Sequence, residues 1–184
     1  MSKTIYYTAT SLDGFIADSG NSLDWLMQFE QTEGSDYAEF IQTIGAVAMG
    51  STTYEWVLEH HIKPDSPTPQ PWPHTQPTWV FSSRQLRGLR DADVRFVRGD
   101  VRPVHEAMRR EAAGKDVWVV GGGDLAGQFY DHGLLDELII TVAPVTLGGG
   151  AALLPRKITS PALQLLSARA WGGVFVRLHY AVRR

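Results

Sequence analysis

The chain of 184 residues contains no cysteine, which removes disulfides, thiolate metal sites and cysteine nucleophiles together. It has no excess of positive charge either: 17 Lys and Arg stand against 20 Asp and Glu, a formal net charge of −3. No broad basic field is available for duplex nucleic acid or an anionic membrane, and neither is expected as a partner. No apolar run approaches the length needed to cross a bilayer, and the opening MSKTIYYTATSLDGFIAD lacks the apolar stretch of a signal peptide. A soluble, cytoplasmic protein is expected. The fingerprints G-x-G-x-x-G and G-x-x-x-x-G-K-[ST] are also missing, so neither the standard dinucleotide fold nor a nucleoside-triphosphate hydrolase is indicated.

What is present suits one well-filled core. The chain is 43% hydrophobic and 20% charged, with no internal repeat or linker, and a single domain over residues 1–184 is expected. Lys3 to Thr10, rich in β-branched and aromatic residues, reads as the first strand. Tyr37, Phe40, Ile41 and Ile44 recur at helical spacing, with Gly45 as the stop. AVAMG is a short strand ahead of a helix that Ser51 or Thr52 can cap. TWVF and VRFV are further strands, and Asp100 can cap the helix carrying Val104, Ala107 and Met108. VWVV is apolar throughout, as expected of a strand covered on both faces of a largely parallel sheet, and the next helix packs Leu125 and Phe129. ELIITVAPVTL is another buried strand. LQLLSARAWGGVFVRLHYAV reads as two strands joined at Gly172-Gly173, with Val174, Val176, Leu178, Tyr180 and Val182 on one face of the second and Arg177 and His179 on the other, so that this strand is half-exposed. Earlier in the chain, before TWVF, residues 63–77 carry Pro64, Pro67, Pro69, Pro71, Pro73 and Pro77, six of the ten prolines, and cannot be regular helix or central strand. That stretch is either a stiffened surface connection or, on account of Trp72, a lid or subunit contact. The pattern implies an α/β fold: a three-layer α/β/α sandwich around a mixed, mostly parallel sheet with a C-terminal antiparallel hairpin.

In such sheets ligands collect at the carboxyl ends of parallel strands. Three places fit: Gly50-Ser51-Thr52-Thr53, Ser82-Ser83-Arg84 and Gly121-Gly122-Gly123. Glycine lets a phosphate approach bare backbone, helix amides donate to it, and Arg84 adds a full charge in a fork geometry. Each alone is weak, since a glycine triplet after a strand is most often a turn, but three at matching strand ends suit an extended phosphorylated ligand. The second triplet, Gly148 to Gly150, reads as a chain reversal.

The pieces TATSLDGFIAD, VAMGSTTYE, VFSSR, VVGGGDLAGQF and LLDELIITVAPVTLGGG occur in one order. With them the chain resembles the dihydrofolate reductase superfamily, and within it stand-alone proteins similar to the C-terminal reductase domain of the bifunctional riboflavin-biosynthesis deaminase/reductase. The resemblance implies an oxidoreductase using NADPH, laid across the carboxyl edge of the sheet. Ala9, Ile16 and Ala17 would contact the nicotinamide end, Gly50, Ser51 and Thr53 the pyrophosphate, and Ser82, Ser83 and Arg84 the 2′-phosphate. Val120, Gly121, Gly122, Gly123, Asp124 and Leu125 would line the middle, with the Gly121-Gly122 peptide in the cis form. Two departures stand out. Ser51 replaces an arginine common in the family, and Val120 stands where riboflavin-pathway enzymes carry glutamate. The zinc deaminase signature H-x-E with P-C-x-x-C is missing as well.

Hydride transfer to a small heterocycle, or to a conjugated carbonyl or imine of pterin or pyrimidine type, also needs groups that orient the substrate and supply a proton. By the resemblance Asp36 and Thr141 fill the catalytic positions, Asp36 doubling as substrate contact. The residues themselves leave alternatives: Asp36 is equally a helix N-cap, Asp13 either touches substrate or makes an Asx turn, and Trp25 either walls the pocket or is core. Adjacent His60 and His61 point apart, so no metal site is expected. A non-catalytic nucleotide- or metabolite-binding module on the same fold is the competing expectation. The exposed hairpin face and the proline-rich stretch suit self-association, and the resemblance implies a homodimer.

Overall fold

A computed structural model describes residues 2–29 and 36–184. Its order is β1 (Thr4–Ser11), β2 (Phe15–Ala17), α1 (Asp24–Met27), α2 (Tyr37–Thr43), β3 (Ile44–Gly50) and α3 (Ser51–Trp56), the last extended by a π-helical turn, Val57–Ile62. Then come β4 (Thr78–Phe81), β5 (Val94–Val97), α4 (Val101–Glu111), β6 (Asp116–Gly121), α5 (Gly123–Asp131), β7 (Glu137–Ala143), β8 (Ala151–Ala152), β9 (Gln164–Trp171) and β10 (Phe175–Ala181). The main sheet runs β5-β4-β3-β6-β1-β7-β10-β9. The strands from β5 to β7 are mutually parallel, and β10 and β9 close the far edge in antiparallel register. A separate ribbon pairs β2 with β8.

The unbroken apolar run of β6 is the interior strand it resembles: Val117 and Val119 lie fully buried between the two helical layers. On one face Tyr6, Val117 and Val119 pack with Met108 of α4 and Phe129 of α5. On the other Val47, Met49 and Trp118 pack with Tyr54 of α3 and Leu58 and Ile62 of the π-helical turn, with Phe40 and Ile41 of α2 alongside. This is the three-layer sandwich implied by the pattern. Asp100 caps α4 by accepting from the Arg102 amide.

Several local readings are corrected. Ile44 and Gly45 do not close the second helix; they open β3, and Gly45 is there because a Cβ would lie 2.5 Å from the Ala112 carbonyl oxygen at the end of α4. Gly50, not Ser51 or Thr52, occupies the N-cap of α3. The hairpin turn is one residue longer than Gly172-Gly173, since Trp171 pairs with Phe175 and Val174 sits in the turn. Residues 63–77 hold no helix or strand, as expected, but Trp72 packs on Tyr54 at 5.7 Å between ring centroids, and Gln76 donates to the Ile41 and Ile44 carbonyls. The stretch is anchored on the α2–β3 junction. No helix among the described residues is long and apolar enough to cross a membrane.

Candidate functional site

The carboxyl ends of β3 and β6, together with the β2–β8 ribbon, enclose a cleft of about 590 Å³. From the β3–α3 turn come Gly50, Ser51, Thr52 and Thr53; from the β6–α5 turn come Val120, Gly121, Gly122, Gly123, Asp124 and Leu125. The ribbon faces them with Ile16, Ala17, Ala151 and Ala152. The Gly121-Gly122 peptide is cis.

The glycines divide by what an added Cβ would meet. At Gly123 it would lie 2.3 Å from the Ala152 carbonyl oxygen, so this glycine admits β8 against the start of α5. At Gly50 the nearest atoms are Gly122 N at 3.6 Å and Gly121 O at 3.7 Å, and at Gly122 only Ile16 Cδ1 at 3.8 Å. Those are ordinary contacts, and φ is negative at both residues. Nothing in the packing demands glycine at Gly50 or Gly122; both keep the wall of the cleft bare. At Gly150, in the second triplet, a Cβ would come within 2.1 Å of the Ala17 carbonyl oxygen. That triplet is more than a reversal: it sets the ribbon in place.

Eleven positions suggested for a cofactor line this cleft: Ile16, Ala17, Gly50, Ser51, Thr53 and all six from Val120 to Leu125. Ala9 does not, although its neighbour Thr8 does. Ser82, Ser83 and Arg84 follow Phe81, the last residue of β4 and part of the lining, and lie just outside. Arg84 is not a free cation. Its guanidinium forks onto Glu55 of α3 with bonds of 2.8 and 2.6 Å. Nor is it the sole cation there, because Arg98, just beyond β5, donates to the Ser83 carbonyl.

Of the positions suggested for catalysis and substrate, Thr141 and Asp36 belong to the face of the sheet opposite that of Thr8. Ala9, Thr141 and Arg177 stand opposite one another across β1, β7 and β10, so their side chains share one face of the sheet. Thr141 is buried. Asp36 occupies the N-cap of α2 yet makes no capping bond with its side chain; its carboxylate pairs with Arg177. The same guanidinium donates to the Tyr7 hydroxyl at 2.8 Å and lies over the Tyr7 and Trp171 rings. Arg177, although on the polar face of β10, is therefore largely covered: its side chain is 11% exposed. Asp36 and Thr141 thus share Arg177 as a neighbour, the one through its carboxylate and the other through strand register. Trp25, half-buried in α1, keeps its Nε1 buried and without a hydrogen-bond partner among the described residues. Asp13 is turned to another use. It accepts from the Ser11 hydroxyl at 2.6 Å and from the amides of Leu147 and Gly148, and that hydroxyl above all, with the amides, holds its carboxyl below the usual range. It clamps the loop after β1 to the loop after β7 and does not line the cleft.

Sequence reasoning missed Ala151 and Ala152, Trp56, Glu55, Arg98 and Arg177. A two-residue strand carries no periodicity, and an arginine at an outward-reading strand position gives no sign that an aromatic ring will cover it. No group of three or more His, Cys, Asp or Glu among the described residues is placed to hold a metal ion.

A family model described as the RibD C-terminal domain matches residues 2–176. Among curated proteins, the uncharacterized protein YwjB of Bacillus subtilis strain 168 is 34% identical over 178 residues, covering 97% of each chain. Among solved structures, a putative riboflavin biosynthesis protein from Shewanella sp. PV-4 superposes with a TM-score of 0.82 at 24% identity, covering 99% of each chain. A dihydrofolate reductase from Enterococcus faecalis, complexed with NADP(H), superposes with a TM-score of 0.61 at 15% identity, covering 97% of this chain and 95% of that one. At these identities the two structures establish the shared fold.

Proposed function

The chain belongs to the RibD C-terminal domain family, and from that membership we propose that it is an NADPH-dependent reductase acting on a small heterocyclic or conjugated carbonyl or imine substrate of pterin or pyrimidine type. One observation carries the reading: Gly50 and Gly122 line the cleft with no neighbour that excludes a side chain, so the bare wall serves a ligand rather than the packing. NADP(H) in the Enterococcus faecalis neighbour of the same fold supports the choice of ligand. Bound there, the nicotinamide supplies the hydride.

The chain's own residues bind and orient. Gly50, Ser51 and Thr53 offer amides and hydroxyls to the pyrophosphate beside Val120 to Leu125. Arg84, with Ser82 and Ser83, takes the 2′-phosphate. Ile16 and Ala17 leave flat apolar surface for the nicotinamide, and the β2–β8 ribbon excludes water from it. Substrate lies over the face that carries Ala9 and Thr141, with Trp25 as a wall. The Asp36 carboxylate, already engaged by Arg177, orients the substrate with its remaining acceptor capacity.

Trp56 lines the cleft, so quenching of tryptophan fluorescence by NADPH tests occupancy. Oxidation of NADPH with a panel of dihydropteridines, quinones and pyrimidines tests turnover. Binding without oxidation of NADPH by any of the panel favours the alternative, a nucleotide- or metabolite-binding module; no binding removes both readings. Gly50→Ala is expected to melt within a few degrees of the wild type and to weaken NADPH by about tenfold or more, because its methyl group occupies the cleft wall. The homodimer belongs to the same reading: Leu165 and Val176 are about half exposed on the outer strands. Sedimentation is expected to give twice the monomer mass at micromolar concentration and less on dilution.

A further inference from the structure

The corner that would receive the 2′-phosphate contains an anion as well as cations. Glu55 sits on α3 between Thr53 and Trp56, which both line the cleft, and Arg84 lies three residues beyond Phe81, which lines it from β4. Both oxygens of Glu55 are bonded to the Arg84 guanidinium, at 2.8 and 2.6 Å. Arg98 comes to the same corner from β5 by way of the Ser83 carbonyl. With Glu55 present the three side chains sum to one positive charge; without it they would sum to two.

We propose that Glu55 determines coenzyme selectivity through its negative charge beside Arg84, holding the preference for NADPH over NADH well below what two arginines would give. The inference rests on the coenzyme reading above. The pair is open to solvent, with the Arg84 side chain 57% exposed and that of Glu55 35% exposed. An exposed pair of this kind contributes little net stability, so a phosphate draws Arg84 away at small cost. The carboxylate then remains on its helix beside a group carrying nearly two negative charges, inside the screening length of physiological salt. An adenosine with a free 2′-hydroxyl meets no such repulsion, and a carboxylate can accept from that hydroxyl. Glu55 thus acts against the phosphorylated coenzyme chiefly by repelling its charge, and only to a small extent by occupying its cation.

The test is the ratio of NADH to NADPH dissociation constants in wild type and in Glu55→Gln, which keeps the shape and removes the charge. The ratio is expected to rise roughly five- to tenfold, through tighter NADPH with NADH unchanged within about twofold, and the rise is expected to shrink toward twofold at roughly 0.5 M salt. Adenosine 2′,5′-bisphosphate against adenosine 5′-monophosphate reads the same corner without the nicotinamide and is expected to give the same factor. Both coenzymes binding with an unchanged ratio overturns the role of Glu55 while the cleft reading stands. Weaker NADPH in the variant also overturns it, because Glu55 would then be a tether that positions Arg84. If neither coenzyme binds wild type, the cleft reading fails and the role of Glu55 falls with it.

Discussion

Gly150→Ala is expected to destabilise the protein by about 3 to 5 kcal/mol, while Gly149→Ala, one residue away, changes stability by less than about 0.5 kcal/mol. At Gly150 φ is +133°, and a Cβ would be 2.1 Å from the Ala17 carbonyl oxygen and 2.9 Å from Cα of Asp18. All of these are backbone atoms, so no side chain can swing away; the β2–β8 ribbon itself must shift. To that overpacking is added the strain of a side chain in a region that L-residues rarely adopt. Around Gly149 nothing lies within 4 Å of the added atom. Gly148 is intermediate: its φ of +70° costs an alanine about 1 kcal/mol, but its surroundings are open. Chemical denaturation of the three single variants measures the order directly, and equal losses at Gly149 and Gly150 would remove the account. The effect extends to the cleft, because Gly150 seats Ala151 and Ala152 against Phe15 and Ala17. A Gly150→Ala protein that still folds is therefore expected to lose coenzyme binding as well, which a purely local turn glycine would not cause.

The two triplets show where sequence alone carries and where it stops. That Gly121 and Gly122 line a cleft is legible, because a strand end, a glycine and a following helix are all local features in fixed order. That Gly123 and Gly150 exist for close backbone contact is not, since the atoms they avoid belong to Ala152 and Leu153 in the one case and Ala17 and Asp18 in the other, remote in the chain. β6 was legible because a strand covered on both faces needs an unbroken apolar run, and Asp100 because a cap bonds two residues away. Ile44 and Gly45 misled because helical spacing ran by chance into the first residue of β3, and only the approach of Ala112 explains the glycine. Arg177 misled for a similar reason. Alternation along β10 separates two faces correctly, but it cannot say which face Asp36, Tyr7 and Trp171 will cover. At the site, the glycines whose backbone lines the cleft were found; Glu55 and Arg98, which reach that corner only through bonds to Arg84 and Ser83, were not.

Lowering the pH from 8 to 5 is expected to cost about 2 kcal/mol of stability through His74 alone. His74 lies in the proline-rich stretch with its ring edge-on to Trp118 at 5.3 Å and to Trp72 at 5.5 Å. Burial first, and then the charge of His61, push its pKa down from 6.5 to about 4. Its Nδ1 is buried with no hydrogen-bond partner among the described residues, so nothing there stabilises the protonated ring. The folded value lies below the unfolded one, and between the two the unfolded chain binds more protons. The contribution is complete above about pH 6.5 and is lost progressively as pH falls toward 4. His105, packed on Phe129, is lowered as well, again chiefly by burial, and adds loss in the same direction. Most carboxylates stay ionised down to pH 5, which keeps the window largely free of acid unfolding from other groups. His74→Phe keeps the aromatic contacts without a titrating group, so its denaturation midpoint is expected to vary much less between pH 8 and 5 than that of wild type. Because the ring sits against Trp118, protonation is also expected to loosen the proline-rich stretch and change tryptophan emission before the sheet unfolds. A wild type as stable at pH 5 as at pH 8 would mean that the ring is solvated or that the stretch does not pack on Trp118.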